Sequence, residues 1–314
     1  MELNKIYQGD CLTVLKTFPD ESVDMCMTSP PYWSLRDYGC DGQLGLEPTF
    51  TEYINKLCNI FDEVKRVLKK EGSCWVNIGD SYSTVSGGME QLKRMGNDTP
   101  KYGEIDYASG YSGVSQLGKK NLEEKNLCLI PFRFAIEMQN RGWILRNTII
   151  WYKRNCMPSS VTDRFTVDFE YLFFFVKNKK YWFEQQTEKH TSKFINEYKP
   201  RNADDKTRSA TIQPRSETAF ANPYNPNGRN KRCVWDITTK GYREAHFATY
   251  PEELCLTPIK AGCPVGGIVL DPFSGAGTTA LVAKKLGRNY IGIELNPEYV
   301  TMSEKRLHNE AGLL

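Results

Sequence analysis

The chain has 314 residues, of which 40% are hydrophobic and 12% aromatic. That length and composition suit one large α/β domain with insertions or two small domains, and they exclude a disordered chain. No apolar run is long enough to cross a bilayer, and the net charge of +3 does not by itself demand a nucleic-acid partner.

The first 80 residues alternate between predicted strands and helices. Compact apolar runs predict strands, and apolar residues at helical spacing predict helices. The predicted strands are Lys5–Tyr7, Val23–Met27 and Ser73–Ile78, and the predicted helices are Cys11–Thr17 and Tyr53–Lys69. The second strand must stop at the Ser-Pro-Pro sequence that follows it, because proline cannot continue a central strand.

Two polar segments interrupt this pattern. Segment 81–126 contains seven glycines and is predicted to be a long loop insertion. Segment 184–232 contains four prolines, and its ten Lys and Arg residues outnumber its six Asp and Glu residues. The basic excess of the chain therefore lies in this second, irregular insertion, which is the pattern expected of a local contact with a polyanion.

The remaining segments return to alternating strands and helices. The predicted helices are Ile130–Arg141, 252–261, Thr278–Leu286 and Pro297–Asn309, and the predicted strands are Asn147–Tyr152, Ile268–Leu270 and Tyr290–Ile293. Two aromatic strands, Phe169–Val176 and Lys180–Phe183, are predicted to form an antiparallel hairpin. Strands that alternate with helices favour an α/β fold with a mostly parallel sheet and helices on both faces.

Cysteine and histidine give no metal signature. The ten cysteines include no Cys-x-x-Cys pair, and the three histidines are far apart in the sequence. Scattered cysteines of this kind are typical of reduced, buried thiols in a cytosolic protein. The polar, acidic first residues differ from those of a signal peptide. We therefore expect a soluble cytoplasmic protein with no metal and no membrane partner.

A glycine-rich turn, Leu270–Thr279 (LDPFSGAGTT), follows a predicted strand and precedes a predicted helix. Gly275 and Gly277 lack a Cβ, so the backbone there can pass close to a ligand. Glu294 ends the next strand, where a carboxylate can accept hydrogen bonds from ribose hydroxyls. The spacing also fits a nicotinamide dinucleotide loop or a tight turn without a ligand. Asp271 disfavours the dinucleotide, because a carboxylate repels a pyrophosphate and attracts the cationic end of an amino acid.

A second motif, Thr28–Tyr32 (TSPPY), follows a buried predicted strand, at a sheet edge where α/β enzymes bind ligands. Taken alone, it is typical of a stiff structural turn. A carbonyl that the prolines hold in place, together with the Ser29 hydroxyl, would nevertheless supply two acceptors for an NH₂ group. Two such acceptors would free the nitrogen lone pair and stabilise a positive charge that develops on this nitrogen. The Tyr32 ring can stack on another aromatic ring.

Together these motifs resemble those of the β group of amino-methylating DNA methyltransferases, which methylate cytosine N4 or adenine N6 with S-adenosylmethionine. The cofactor loop resembles their D-P-F-x-G-x-G-T-T motif, and the β-group order places target recognition between the catalytic motif and this loop. Further segments that resemble family motifs are 7–11, 76–80, 147–153, 246–251 and 290–295. The resemblance implies a Rossmann-like methyltransferase fold and direct in-line transfer to a base flipped out of the DNA.

The resemblance also implies roles for individual residues. The catalytic residues would be Ser29, Pro30, Pro31 and Tyr32. The residues that would surround the cofactor are Asp10, Cys11, Tyr250, Pro251, Asp271, Phe273, Ser274, Gly275, Gly277, Thr278, Thr279 and Glu294. Serine at the first position of the catalytic motif is typical of N4-cytosine members, and Asp or Asn is typical of N6-adenine members. We therefore expect cytosine as the target, with adenine as the alternative.

The expected partner is double-stranded DNA. Residues 1–183 would form the catalytic half of the methyltransferase domain, 233–314 the cofactor-binding half, and 184–232 a target-recognition insertion. The cations of this insertion that we expect at the DNA are Arg201, Arg208, Arg215, Arg229, Lys231 and Arg232. The sequence decides neither whether the chain forms a homodimer nor whether it has a companion restriction endonuclease. A nicotinamide-dependent oxidoreductase and an inactive DNA-binding homologue are the disfavoured alternatives.

Overall fold

The computed structural model describes residues 1–35, 37–83, 122–189, 228–239 and 250–309. The chain divides into two compact units, of which the larger comprises Met1–Glu184 and Cys233–Leu314 and the smaller comprises Gln185–Arg232. The strands are β1 (Lys5–Gln8), β2 (Val23–Thr28), β3 (Leu68–Ile78), β4 (Ile144–Tyr152), β5 (Phe169–Val176), β6 (Thr187–Glu188), β7 (Arg229–Asn230), β8 (Val234–Asp236), β9 (Ile268–Asp271) and β10 (Asn289–Glu294). The described helices are α1 (Cys11–Leu15), α2 (Phe50–Val67), α3 (Ile130–Asn140), α4 (Glu252–Gly262), α5 (Thr278–Lys285) and α6 (Pro297–Asn309).

Eight strands of the larger unit form one sheet in the order β1-β10-β9-β2-β3-β5-β4-β8. Only β5 runs antiparallel to its neighbours, and every other pairing in this sheet is parallel. The mostly parallel α/β sheet predicted from the sequence is therefore confirmed. In the smaller unit, β6 and β7 form a separate antiparallel pair.

The predicted partner of β5 is wrong, because residues 180–183 do not form a strand. Both edges of β5 already carry hydrogen-bonded neighbours, β3 on one side and β4 on the other. The aromatic rings of Tyr181 and Phe183 pack instead against Phe174, with ring centroids 5.8 and 5.7 Å away. The aromatic pattern of residues 180–183 therefore reflects the packing of their rings against the sheet and does not indicate an additional strand. No pattern in the sequence indicated β8, a strand of only three residues.

Helices cover both faces of the sheet, and successive strand residues point alternately to each face. Cys26 and Val76 belong to the core that packs under α1, α2 and α3. Their neighbours Met25, Met27 and Trp75 belong to the core under α4 and α5. This double burial explains why the central strands are nearly continuous apolar runs.

Helix α2 shows how local sequence produces these elements. The Thr49 hydroxyl accepts a hydrogen bond from the Glu52 backbone N–H at 3.1 Å and so caps the helix. Tyr53, Leu57 and Phe61 then recur every four residues, and all three are fully buried. Burial of each such side chain contributes about 1.5–3 kcal/mol, so the amphipathic face holds α2 firmly on the sheet.

The centre of the sheet contains a topological switch point between β2 and β9. From β9 the chain continues through α5 to β10, whereas from β2 it continues through α2 to β3 on the other side. Such a reversal leaves a crevice at the carboxyl ends of the two strands, where α/β proteins bind ligands. Thr28 ends β2 and Asp271 ends β9, and the Thr28 hydroxyl donates a hydrogen bond of 2.6 Å to the Asp271 carboxylate.

None of the helices in the described ranges is long and apolar enough to span a membrane.

Candidate active site

A cavity of about 550 Å³ in the larger unit brings the two sequence motifs together at the switch point. The predicted site residues that line it are Asp10, Cys11, Ser29, Pro30, Pro31, Tyr32, Tyr250, Phe273, Ser274, Gly275, Thr278 and Glu294. Four others do not line the cavity, namely Pro251, Asp271, Gly277 and Thr279. The same space is therefore bounded by the glycine-rich turn after β9 and by the turn Thr28–Tyr32 after β2, which we call the catalytic turn after its predicted role.

The glycine-rich turn lines this cavity, and its two central glycines have different roles. Gly275 adopts a φ of +50°, and a Cβ placed on it would meet no atom within 4 Å. Gly277 has a φ of +74°, and its Cβ would lie 2.8 Å from the Cβ of Ser303 on α6. Gly277 is thus needed for close packing, whereas Gly275 leaves open space. The Ser274 hydroxyl is buried and has no hydrogen-bond partner among the described residues, and a Cβ placed on Gly292 of β10 would lie 2.5 Å from its oxygen.

Glu294, at the end of β10, is the acidic residue that contacts the glycine-rich turn. Its carboxylate accepts hydrogen bonds from the backbone N–H groups of Gly275 at 2.7 Å and Asn296 at 2.9 Å. Burial raises the pKa of Glu294 above its ordinary value, although these two hydrogen bonds oppose the shift. Asp10 also lines the cavity, and its Oδ1 caps α1 by accepting from the Thr13 backbone N–H at 2.9 Å.

Asp271 lies behind the cavity wall and is only 1% exposed. Its carboxylate accepts hydrogen bonds from Thr28 at 2.6 Å, from the Phe273 backbone N–H at 3.0 Å and from the Tyr250 hydroxyl at 3.0 Å. Burial raises the pKa of Asp271. The Thr279 hydroxyl also contacts Tyr250. Through these contacts Asp271 connects the end of β2, the glycine-rich turn and Tyr250, which lines the cavity.

The catalytic turn is anchored from two sides. The Tyr53 hydroxyl, on α2, donates to the Pro31 carbonyl at 2.7 Å. The Tyr32 hydroxyl donates to the Glu170 carboxylate at 2.6 Å. The Pro30 carbonyl accepts no hydrogen bond from any described residue, so it stays available together with the Ser29 hydroxyl, which lines the cavity. Burial raises the pKa of the Cys11 thiol to about 12, which keeps this cavity-lining sulfur protonated.

The site residues predicted from the sequence did not include Asn77, Lys153 or Glu170 of the cavity wall, although the first two lie in segments that resemble family motifs, 76–80 and 147–153. Asn77 lies near the end of β3, Lys153 directly follows β4, and Glu170 is the second residue of β5. Glu170 accepts from the Asn77 amide at 3.1 Å and forms an ion pair with Lys153, whose ammonium is 4.5 Å from the centre of the Trp151 ring. A polar residue that ends an apolar strand was the available signal for Asn77. Glu170 had none, because only the pairing of β5 with β3 brings it to the site.

The chain matches a known protein family over most of its length. A profile of the DNA methylase family that includes N6 and N4 enzymes matches residues 23–305, which is most of the chain. The chain belongs to this DNA methylase family. Full-length similarity agrees: the Type II methyltransferase M.Cfr9I of Citrobacter freundii is 38% identical over 312 residues, covering 99% of this chain and 90% of that protein. The Type II methyltransferase M.SmaI of Serratia marcescens is 37% identical, covering 96% and 90%.

Solved structures show that this DNA methylase has the Rossmann-like methyltransferase fold. The cytosine-N4-specific PvuII DNA methyltransferase superposes with a TM-score of 0.61 at 20% identity, covering 97% of this chain and 89% of that one. A Thermus thermophilus protein, TTHA0409, complexed with S-adenosyl-L-methionine, superposes with a TM-score of 0.56 at 21% identity, covering 98% and 95%. The fold expected from the sequence is therefore confirmed.

The predicted DNA contacts of the methylase belong to its smaller unit. Within that unit, Arg229 and Arg232 both pair with Glu188, at 2.9 and 2.8 Å. Lys231 donates its backbone N–H to the Gln186 carbonyl at 2.9 Å. The other three predicted contacts, Arg201, Arg208 and Arg215, lie outside the described residues. The contribution of this unit to DNA recognition therefore stays a prediction.

Among the described residues, no group of three or more His, Cys, Asp or Glu side chains is arranged to hold a metal ion.

Proposed function

We propose that this DNA methylase transfers a methyl group from S-adenosylmethionine to the exocyclic N4 of cytosine in double-stranded DNA. The observation that carries the proposal is the position of Ser29, which lines the same cavity as the glycine-rich turn. Serine at this position is typical of N4-cytosine members of the family, and the PvuII enzyme with the same fold is described as cytosine-N4-specific. We propose that the base is flipped out of the duplex, because an enzyme cannot reach the reacting atom of a base that is stacked inside it.

The cavity suits S-adenosylmethionine. The open space beside Gly275 and the Glu294 carboxylate provide an exposed backbone and an acceptor for ribose hydroxyls. Phe273 supplies an apolar wall. Asp10 and Tyr250 line the remaining sides, and Asp271 holds the turn in place from behind. When bound, the cofactor supplies a methyl group activated by a sulfonium.

The residues of the catalytic turn prepare the amino group to receive this methyl. The Ser29 hydroxyl and the Pro30 carbonyl accept the two N–H bonds of the target, which localises the nitrogen lone pair. The Tyr32 ring stacks on the flipped base, and its hydroxyl is fixed by Glu170. Transfer then depends on orientation of the two reactants and requires no covalent enzyme intermediate.

Further partners follow from the relatives. Because the similar proteins are named Type II methyltransferases, we propose that a restriction endonuclease of the same specificity accompanies this enzyme. The basic segment 184–232 is proposed to read the target sequence, since it carries the positive excess of the chain. A homodimer stays a prediction, and light scattering of the purified protein tests it.

Mass spectrometry of nucleosides tests the proposed reaction. Unmodified plasmid and genomic DNA of varied sequence is incubated with the protein and S-adenosylmethionine, with a cofactor-free reaction as the control. N4-methylcytosine supports the proposal. N6-methyladenine would retain the methyltransferase but refute the assignment of Ser29 to cytosine. The absence of any methylated nucleoside would contradict the proposed activity.

A further inference from the structure

The Ser29 hydroxyl can serve as an acceptor for the target only if its own proton is bound by another group. A serine hydroxyl has one proton and two lone pairs, so it can either donate or accept a hydrogen bond. Under the proposed function, Ser29 must accept from the target amino group, and its own proton must therefore be bound elsewhere. The Ser29 oxygen lies 3.3 Å from the Asn77 amide oxygen and 3.5 Å from the Tyr32 hydroxyl oxygen.

The surroundings of Asn77 decide which way its amide points. Its nitrogen donates to the Glu170 carboxylate and to the Tyr171 carbonyl, both at 3.1 Å. An ionised carboxylate and a carbonyl are acceptors only, so the amide nitrogen must face them and the amide oxygen must face Ser29. Asn77 is 1% exposed. The acceptor that it presents to Ser29 is therefore fixed by protein groups.

Tyr32 does not compete for this acceptor. Its hydroxyl has a single proton, and the distance to the Glu170 carboxylate is 2.6 Å, compared with 3.2 Å to the Asn77 amide oxygen. A hydrogen bond to an ionised oxygen is the shorter and stronger of the two. The Tyr32 proton is thus bound by Glu170, and the Asn77 oxygen is left for the proton of Ser29.

Glu170 is in turn held by its second oxygen. Lys153 forms an ion pair with this oxygen, and the side chains of both residues are less than one-fifth exposed. The Lys153 backbone N–H donates to the Asp168 carbonyl at 2.7 Å, which ties together the two ends of the β4–β5 connection. The carboxylate is therefore fixed by three donors, one from the catalytic turn, one from β3 and one from the start of this connection.

We propose that Glu170, held by Lys153, is a positioning residue that sets the direction of these hydrogen bonds. By binding the protons of Tyr32 and of the Asn77 amide, it makes the Asn77 oxygen accept the Ser29 proton. Ser29 then presents only lone pairs to the target amino group. This inference rests on the proposed function, since it explains how Ser29 becomes the acceptor that methyl transfer requires.

The decisive substitution is Glu170→Gln, which keeps the shape of the side chain but introduces a donor that can reverse the network. We expect kcat for DNA methylation to fall about 10- to 100-fold, because hydrogen bonds to a charged group are lost. The Kd for S-adenosylmethionine should stay within twofold, because the hydrogen bonds and ion pair of Glu170 described above all lie outside the cofactor turn. The matched control is Glu137→Gln, which removes the charge of a carboxylate on α3 that pairs with Arg141, the residue after the helix. It should leave kcat unchanged.

A double-mutant cycle separates positioning from general destabilisation. In a Ser29→Ala background, Glu170→Gln should reduce kcat far less than it does in the wild type, because Ser29 is already missing and only the anchoring of Tyr32 remains to be lost. Losses of kcat that multiply in the double mutant would overturn the inference, as would a Glu170→Gln protein with wild-type kcat.

If Glu170→Gln does not fold, Lys153→Gln provides the same test, and recovery of kcat by Lys153→Arg is expected. A wild-type protein that methylates no DNA would overturn both this inference and the proposed function, whereas an active wild type beside an equally active variant overturns this inference alone.

Discussion

Ser29 is the residue at which the chemistry of the catalytic turn can be tested most directly. Its hydroxyl lines the cavity and makes no backbone hydrogen bond that the described fold would lose. We predict that Ser29→Ala lowers the single-turnover rate of methyl transfer about 10²- to 10³-fold, the usual effect of removing one group that stabilises developing charge. The Kd for S-adenosylmethionine, measured by calorimetry, should be unchanged.

Ser22→Ala is the matched control, because Ser22 immediately precedes β2 and its hydroxyl donates locally, to the Pro19 carbonyl at 2.7 Å. That variant should transfer methyl groups at the wild-type rate. Wild-type turnover by Ser29→Ala itself would remove the hydroxyl from the mechanism and leave the Pro30 carbonyl as the remaining candidate acceptor.

Glu294 is expected to give the proposed cofactor site a pH dependence. Burial raises the pKa of this carboxyl, so protonation begins at a higher pH than for an ordinary glutamate. The protonated group loses an acceptor for the ribose hydroxyls. We therefore predict that the affinity for S-adenosylmethionine falls as the pH is lowered from neutral towards the raised pKa. Calorimetric titrations at a series of pH values measure this change.

Glu294→Gln should bind the cofactor more weakly at neutral pH and should lose the acidic dependence, since the amide does not titrate. Glu298→Gln, which changes a nearby carboxylate in the first turn of α6, serves as the control and should keep the wild-type profile. An acidic dependence that persists in Glu294→Gln would assign the titration to another group.

Among the elements, helix α2 connects the core to the catalytic turn through Tyr53. The Tyr53 ring is fully buried in the core, and its hydroxyl donates to the Pro31 carbonyl. We predict that Tyr53→Phe lowers the free energy of unfolding by about 1 kcal/mol and kcat by several-fold, because the carbonyl loses its donor and the turn loses an anchor. Denaturant unfolding and initial rates measure the two effects.

Phe61→Leu on the same helix is the control that separates a loss of stability from a loss of turnover. Phe61 is fully buried against Phe134, with ring centroids 5.2 Å apart, two helical turns away from Tyr53. Its substitution should lower stability by a comparable amount, about 1 kcal/mol, without changing kcat. Equal losses of kcat in both variants would show that turnover follows stability alone.

The sequence predicts individual helices and strands better than it predicts the contacts between strands. The amphipathic spacing of α2 and the apolar run of β2 predicted those elements because burial alone determines their patterns. The two motifs came together because both follow central strands of one parallel sheet. Contacts across β5 could not be predicted: its aromatic residues fit several partners, and only the observed pairing with β3 brings Glu170 to Asn77.

At the scale of the whole molecule, the smaller unit Gln185–Arg232 is the segment that can be exchanged most cleanly. The pairing of Thr187 with Asn230 in β6 and β7 brings the two ends of this segment together. A short Gly/Ser linker can therefore replace residues 190–227 while the paired strands remain. The cofactor turn and the catalytic turn both belong to the larger unit.

We predict that this shortened chain binds S-adenosylmethionine with wild-type affinity but no longer methylates DNA at the wild-type sequence, because base contacts that specify the target are removed. The matched control keeps the full length and replaces Arg201, Arg208 and Arg215 with Gln. It should bind DNA more weakly and with a smaller dependence on salt, since fewer phosphates are neutralised. Cofactor calorimetry, DNA binding at several salt concentrations and sequencing of the methylated sites distinguish these outcomes. If the shortened chain still modified the same sequence, target recognition would have to lie in the larger unit, where segment 81–126 is the next candidate.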